Sequence, residues 1–439
     1  MPYLAFSTAL YLCALAYPLI KYTGNEGGWL HPLIFSTVFF GMVRNLPRAA
    51  PLWIFGLDEH SVLPLDAEQL TELVAFENLA GTLALISTYV GYACSRRIST
   101  PRLTVKSPRR LGLALVVATV VSLVSLVLFM RLSGGFFAHL RNLSLNVGSK
   151  EFVADSSAMG LYSTGTQWLG LFLCLYLADR IGANRTSLEK VRFWCLWGGA
   201  FLFANVIIYL GVGKRSAMFN VCGIAACILI THLRKVPWIR LAMGAVALLA
   251  AFAVIQTMRG VAPTAKSLDD IKATLKTDTD KSALATYEEL AHRRGAYSSA
   301  YPIFHYVPDS SPLLWGETYW VIPLRVIPRA IWPTKPRGTD FRAGATFFNS
   351  VWGIPPGAVA EAYWNFHLPG VAVVYFLFGV FYRWMANLFV RYSKSGTITA
   401  FYCYTIFAIG PTENMITGWM QSLIPLIAFI VITGSVRKR

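Results

Sequence analysis

The sequence predicts an all-α polytopic membrane protein with about eleven transmembrane helices and one large extramembrane loop. Three observations carry that prediction. Hydrophobic residues make up 55% of the 439-residue chain and charged residues only 14%. The apolar residues come in blocks of about eighteen or more, and stretches such as LGLALVVATVVSLVSLVLFM (111–130) show no polar face. Between the blocks, lysine and arginine collect in alternate connections, which is how membrane proteins mark their cytoplasmic side.

Taken in order, the first block (3–20) has neither a basic leader nor a small-residue cleavage site, so it reads as a first span and not as a removed signal peptide. Further spans are expected at 29–43, 69–93, 111–131, 159–178, 193–211, 216–232 and 237–257. Residues 1–257 therefore hold about eight transmembrane helices. Residues 258–356 form the large loop, and residues 357–439 hold about three more spans, at 357–382, 396–411 and 415–434. Residues 44–68 could include an interfacial or re-entrant piece, which would change the direction of the first helices.

Orientation follows from SRRISTPRLTVKSPRR (95–110), which has six basic residues and no acid and must be cytoplasmic. Alternation then puts the basic segments at 178–192, 231–240 and 383–396 and the terminal RKR on the same side. The formal charge of +17 is thus largely topological, and no nucleic-acid partner is expected. All seven cysteines lie in or beside apolar blocks with no zinc-like or disulfide-like spacing and read as small core residues.

The same alternation places 131–158, the turn GVGKRSAM (211–218), the long loop and GPTENM (410–415) on the outer face, where positive charge runs against the rule. Seven cations (Arg293, Arg294, Arg325, Arg329, Lys335, Arg337, Arg342) face three acids (Asp309, Glu317, Asp340), with Lys214, Arg215 and Arg259 nearby. Guanidinium forks match phosphate oxygens, so this cluster suits a pyrophosphate at headgroup depth and an anionic lipid-linked substrate. Ordinary phospholipid headgroups, or ion pairs with Asp278, Asp280, Glu288 and Glu289, would use the same arginines. In VIPRAIWPTKPRG (326–338) three prolines restrict the backbone that carries Arg329, Lys335 and Arg337, and Trp332 reads as an interfacial anchor.

Tyr297 and Tyr301 stand at helical spacing ahead of that elbow and could stack on sugar rings, although an aromatic belt at the bilayer interface predicts the same residues. After the elbow, PPGAVAEAYWNFHLPG (355–370) opens the next span with Glu361 and Asn365 four apart on one face. Glu361 is the candidate general base for an alcohol acceptor, with a structural ion pair as the alternative. Glu413, Asn414, Asp340 and His305 are weaker candidates. No glycine-rich phosphate loop, HExxH or paired CxxC occurs, so neither a metal nor a cofactor is expected.

The strings IPRAIWPTKP and AEAYWNFHLPG, some twenty-five residues apart, resemble the bacterial oligosaccharide repeat-unit polymerases, the Wzy-type O-antigen polymerase family. GKRS (213–216) and RG (259–260) match more loosely, and His367 stands where family members often carry glycine. The resemblance covers roughly residues 210–370 by motif and the rest by topology alone. It implies a GT-C-like glycosyltransferase of the inner membrane, needing no metal, with its large loop and active site on the periplasmic side. Such an enzyme moves a growing glycan from one undecaprenyl pyrophosphate to another lipid-linked repeat unit. By the same resemblance Arg215, Arg259, Arg293, Arg294, Arg325, Arg329, Lys335 and Arg337 would contact pyrophosphate and glycan. Arg329 is also counted as catalytic, and Glu361 as base rests on its position and not on the resemblance. Implied partners are undecaprenyl-pyrophosphate-linked oligosaccharides and membrane lipids, with room for a polysaccharide chain-length regulator. Two rivals remain open: an O-antigen ligase transferring to lipid A core, and a lipid-linked glycan transporter, whose polar residues should line a path through the spans.

Overall fold

A computed structural model describes residues 2–22, 30–35, 65–105, 108–132, 135, 162, 164–181, 186–212, 215–233, 299–320, 332, 334, 336, 338–350, 353–408 and 416–438. Its helices are α1 (Pro2–Tyr22), α2 (Ala67–Cys94), α3 (Leu111–Leu132), α4 (Trp168–Arg180), α5 (Ser187–Val212), α6 (Arg215–Leu233), α7 (Tyr301–Tyr306), α8 (Glu317–Trp320), α9 (Thr339–Phe347), α10 (Ala358–Arg391), α11 (Gly396–Ala408) and α12 (Ile416–Thr433). Two short strands, β1 (Leu103–Val105) and β2 (Val436–Lys438), pair antiparallel with Leu103 opposite Lys438. The apolar blocks at 3–20, 69–93, 111–131, 193–211 and 357–382 each fall on a helix long and apolar enough to cross a membrane: α1, α2, α3, α5 and α10. Such a set is consistent with a multi-pass membrane protein. The blocks at 159–178, 216–232, 396–411 and 415–434 fall on the shorter helices α4, α6, α11 and α12. The expected span at 237–257, most of 29–43 and most of the large loop lie outside the described residues.

Large apolar side chains cover the outside of the bundle. Phe6 and Ile20 on α1, Val116 and Val127 on α3, Leu196 and Leu202 on α5, and Val431 on α12 are all exposed. A water-facing surface would not tolerate so continuous an apolar coat, whereas hydrocarbon matches it. Inside, α4 is the central helix, packing against α3, α5, α6, α11 and α12. Most of its side chains are buried, as a helix apolar all round requires.

A second group joins α1, α2 and α10. Asn78 donates to Thr8 Oγ1 (3.2 Å) and Tyr89 to the carbonyl of Ala14 (3.0 Å), so α1 and α2 run parallel. The α2–α10 pair is also parallel and closer still. A Cβ on Gly379 would strike the carbonyl oxygen of Thr88 and sit 2.7 Å from the Tyr92 nitrogen, and one on Gly91 would strike the carbonyl of Phe376. Only glycine lets the two backbones meet here. Buried Glu77, Asn78, Thr82 and Thr88 make α2 unusually polar for a helix so enclosed.

One end of the bundle is basic. Arg391 Nη1 donates to the Thr100 carbonyl (3.1 Å), Leu103 N–H to Tyr392 Oη (2.7 Å), and Arg109 N–H to the Thr433 carbonyl (3.2 Å). Gly396 abuts Asp179, and the β1–β2 ladder closes the same end. The described parts of the basic segments at 95–110, 178–192 and 383–396 and the C-terminal strand thus meet in space. Leu4 at the start of α1 packs with Leu70 and Tyr301 at the opposite end, the direction that counting backwards from 95–110 predicts.

Candidate functional site

At the end away from the basic connections, described parts of the loop fold over the start of α10. Gly357, at φ +90°, turns the chain into that helix. The helix is broken: Phe366 (φ −144°, ψ 21°) and His367 (φ 57°, ψ −154°) are not helical. Pro369 is the cause, because it has no N–H for the carbonyl of Asn365 and its ring clashes there. Two loop amides take up the freed acceptors: Leu314 N–H donates to the Trp364 carbonyl (3.0 Å) and Trp315 N–H to that of Asn365 (3.1 Å). Glu361 and Asn365 therefore sit on a short first segment of α10, Ala358 to Asn365, ahead of the break.

His367 occupies a backbone region that is close to glycine-only. Its Nε2 lies 2.7 Å from Tyr363 Oη, and the two rings are 4.4 Å apart, which holds the strained residue in place. His367→Gly relieves the strain while giving up that bond, whereas His367→Ala keeps the strain and gives it up too. The glycine variant is expected to be more stable than the alanine variant by about 1 kcal/mol or more, read from thermal unfolding in detergent.

Glu361 is fully buried. Thr339 Oγ1, at the start of α9, donates to its Oε1 at 2.6 Å. Asn365 is fully buried as well, and its Nδ2 donates to Thr318 Oγ1 and to the Glu361 carbonyl, both at 2.8 Å. Among the described residues Asn365 Oδ1, Trp364 Nε1, Tyr319 Oη and Asp340 Oδ1 are enclosed without a hydrogen-bond partner. Burial, then the Glu361 carboxylate, then Tyr375 push the Tyr319 hydroxyl well above its usual range, so that phenol stays protonated. The result is a closed polar chamber holding a carboxylate, an amide and hydroxyls within an apolar end of the bundle. Its carboxylate is a group that can take a proton, and in this arrangement it is covered by Thr339 of α9.

Other candidates take different places. Arg342, on α9, forms a two-pronged ion pair with Glu317 on α8, Nη1 to Oε2 at 2.6 Å and Nη2 to Oε1 at 2.8 Å. Its partner is Glu317 and not one of the four acids at 278–289 expected for such pairs, and one edge of the guanidinium is committed to it. The pair is about a third exposed, so a double-mutant cycle with Arg342→Ala and Glu317→Ala is expected to give a coupling of about 0.5–1 kcal/mol, weakened by salt. Tyr301 is buried in the core with Leu4, Leu65, Leu70 and Val74, and no face of its ring is open to a sugar. Arg215 is the first residue of α6, whose other end lies at the basic connections. Lys214, Arg259, Arg293, Arg294, Tyr297, Arg325, Arg329, Lys335 and Arg337 lie outside the described residues, as do Glu413 and Asn414. His305 is exposed beside Tyr306. Among the described residues no three His, Cys, Asp or Glu side chains converge as metal ligands.

The sequence does not single out Thr339, Thr318 or Tyr319. Thr339 and Asp340 after Gly338 do carry a signal, a small residue and an acid in the first turn of a helix, but nothing local says what that helix covers. No family model matches the chain, nor does any curated protein or solved structure.

Proposed function

We propose that the chain is a polyprenyl-pyrophosphate-dependent glycosyltransferase that polymerises undecaprenyl-pyrophosphate-linked oligosaccharide repeat units into O-antigen or a related surface polysaccharide. It would work at the periplasmic face of the bacterial inner membrane, on a GT-C-like arrangement of helices. One observation carries the reading: a buried carboxylate, Glu361, held by a threonine hydroxyl where a cation-rich loop returns to the membrane helices. The cations of that loop would hold the donor pyrophosphate and offset the charge of the departing group. Glu361 would take the proton of the acceptor hydroxyl as it attacks.

A lipid-linked glycan transporter is the alternative of a different class, and it would show no product in a transfer assay. A ligase acting on lipid A core would use the same donor site. The test is to incubate the purified protein with a lipid-linked repeat unit and resolve the products on a gel. A ladder supports the polymerase; transfer only after lipid A core is added supports the ligase, and no transfer in either case removes both.

A further inference from the structure

The turn that leads into α8 carries an aromatic group that the chamber does not explain. Trp315 N–H donates to the Asn365 carbonyl at the break in α10 (3.1 Å), and its indole meets the ring of Phe366, 6.5 Å between centres and 71° between planes. The next residue, Gly316, at φ +85°, lies so close that a Cβ there would be 2.8 Å from Phe366 Cζ. Turn and break are thus fitted to each other. Both rings nevertheless remain on the outside: Trp315 is 73% exposed, and Phe366 is exposed as well.

Trp315 is held at φ 49°, a region that a bulky side chain occupies only under strain. Its N–H accounts for the backbone position but not for the indole, because glycine would make the same turn and the same bond without strain. A side chain so exposed gains little from its own chain, and what favours it lies outside. Two surroundings suit an exposed indole: a sugar ring stacked on its face, or the headgroup layer of a bilayer. A sugar needs polar side chains beside the ring to bond its hydroxyls. Phe366 has none to offer, and the nearest carboxylate along the chain, Glu317, has both oxygens bonded to Arg342. Past the break, Pro369, Val373 and Leu377 are exposed on one face of α10, so the apolar coat of the bundle continues up to Phe366.

We infer that Trp315 and Phe366 anchor this end of the molecule in the headgroup layer of the bilayer. Hydrocarbon covers the Pro369, Val373 and Leu377 face, and the indole lies just above it among the lipid carbonyls. Because Trp315 is bonded to Asn365, the anchor sets the break and the adjoining chamber at headgroup depth. It is independent of the glycosyltransferase reading, and its test involves no glycan.

The test is tryptophan fluorescence of the full chain in phosphatidylcholine nanodiscs, with three quenchers: lipid brominated near the headgroup, lipid brominated near the chain ends, and aqueous iodide. The chain has 13 tryptophans, so the signal of Trp315 is the parent emission minus that of Trp315→Phe. Bromines near the headgroup are expected to quench that difference most, about twofold more than bromines near the chain ends, as befits an interfacial indole. If iodide is the strongest quencher, the indole faces water, the anchor is overturned and a sugar-stacking surface takes its place. If the deep bromines quench at least as well as the shallow ones, or if nothing quenches, the indole lies in hydrocarbon or within protein, and the anchor is overturned too. Should Trp315→Phe not fold, Trp315→Tyr keeps an amphipathic ring that is dark under tryptophan-selective excitation, and the same difference is read from it.

Discussion

Glu361→Gln is expected to slow glycan extension by about 100-fold or more while leaving the protein folded and donor binding intact. A positioned general base contributes about 10²–10⁴ in rate, and glutamine cannot take a proton at neutral pH. It does keep an oxygen in the place where Thr339 Oγ1 donates, so the contact that ties α9 to the start of α10 survives. Stability and chemistry are thereby separated. Thr339→Val supplies the contrast, because it strips that donor from a buried carboxylate, and a loss of about 1–3 kcal/mol in unfolding free energy should accompany it. If Glu361→Gln extends glycan at the parent rate, the proton acceptor is another group or none, and Glu361 is structural.

Gly379→Ala is expected to cost about 3 kcal/mol or more, seen as a lower Tm and loss of the monodisperse folded species in detergent. The added methyl would meet the Thr88 carbonyl and the Tyr92 nitrogen, both backbone atoms of a regular helix, which cannot swing aside as a side chain can. Relief requires α2 and α10 to part, and they hold the two ends of the molecule in register. Gly198 on α5 is the control, because a Cβ there meets nothing within 4 Å. Gly198→Ala should be neutral or stabilising by up to about 1 kcal/mol, as alanine favours the helix. Equal tolerance at both positions would mean that α2 and α10 are not closely packed.

Span positions were legible because hydropathy acts over a whole helix: the blocks at 111–131 and 193–211 have apolar faces all round and became α3 and α5. The break at 366–367 was not read, although Pro369 announces it four residues after the carbonyl it abandons. What hid it was the partner, since the Leu314 and Trp315 amides that make the break tolerable lie some fifty residues upstream. Chamber residues were half legible. Glu361 and Asn365 stand out by their spacing, but the closure over them depends on Thr339 and Thr318, brought in by short helices that hydropathy does not register. Arg342 entered the cationic count from charge alone, and only its position in space shows Glu317 across from it. His367 was visible as a departure from glycine; its reason is a backbone angle, which composition does not carry.

The parallel pairing of α2 with α10 has a consequence for biosynthesis. The ribosome delivers α2 hundreds of residues before the helix whose backbone it must touch, so the newly inserted α2 has Thr8 of α1 to meet Asn78 but presents its Gly91 groove to whatever surrounds it. The close contact between α2 and α10 can form only once α10 has been made, so this part of the packing is the last to be completed for α2.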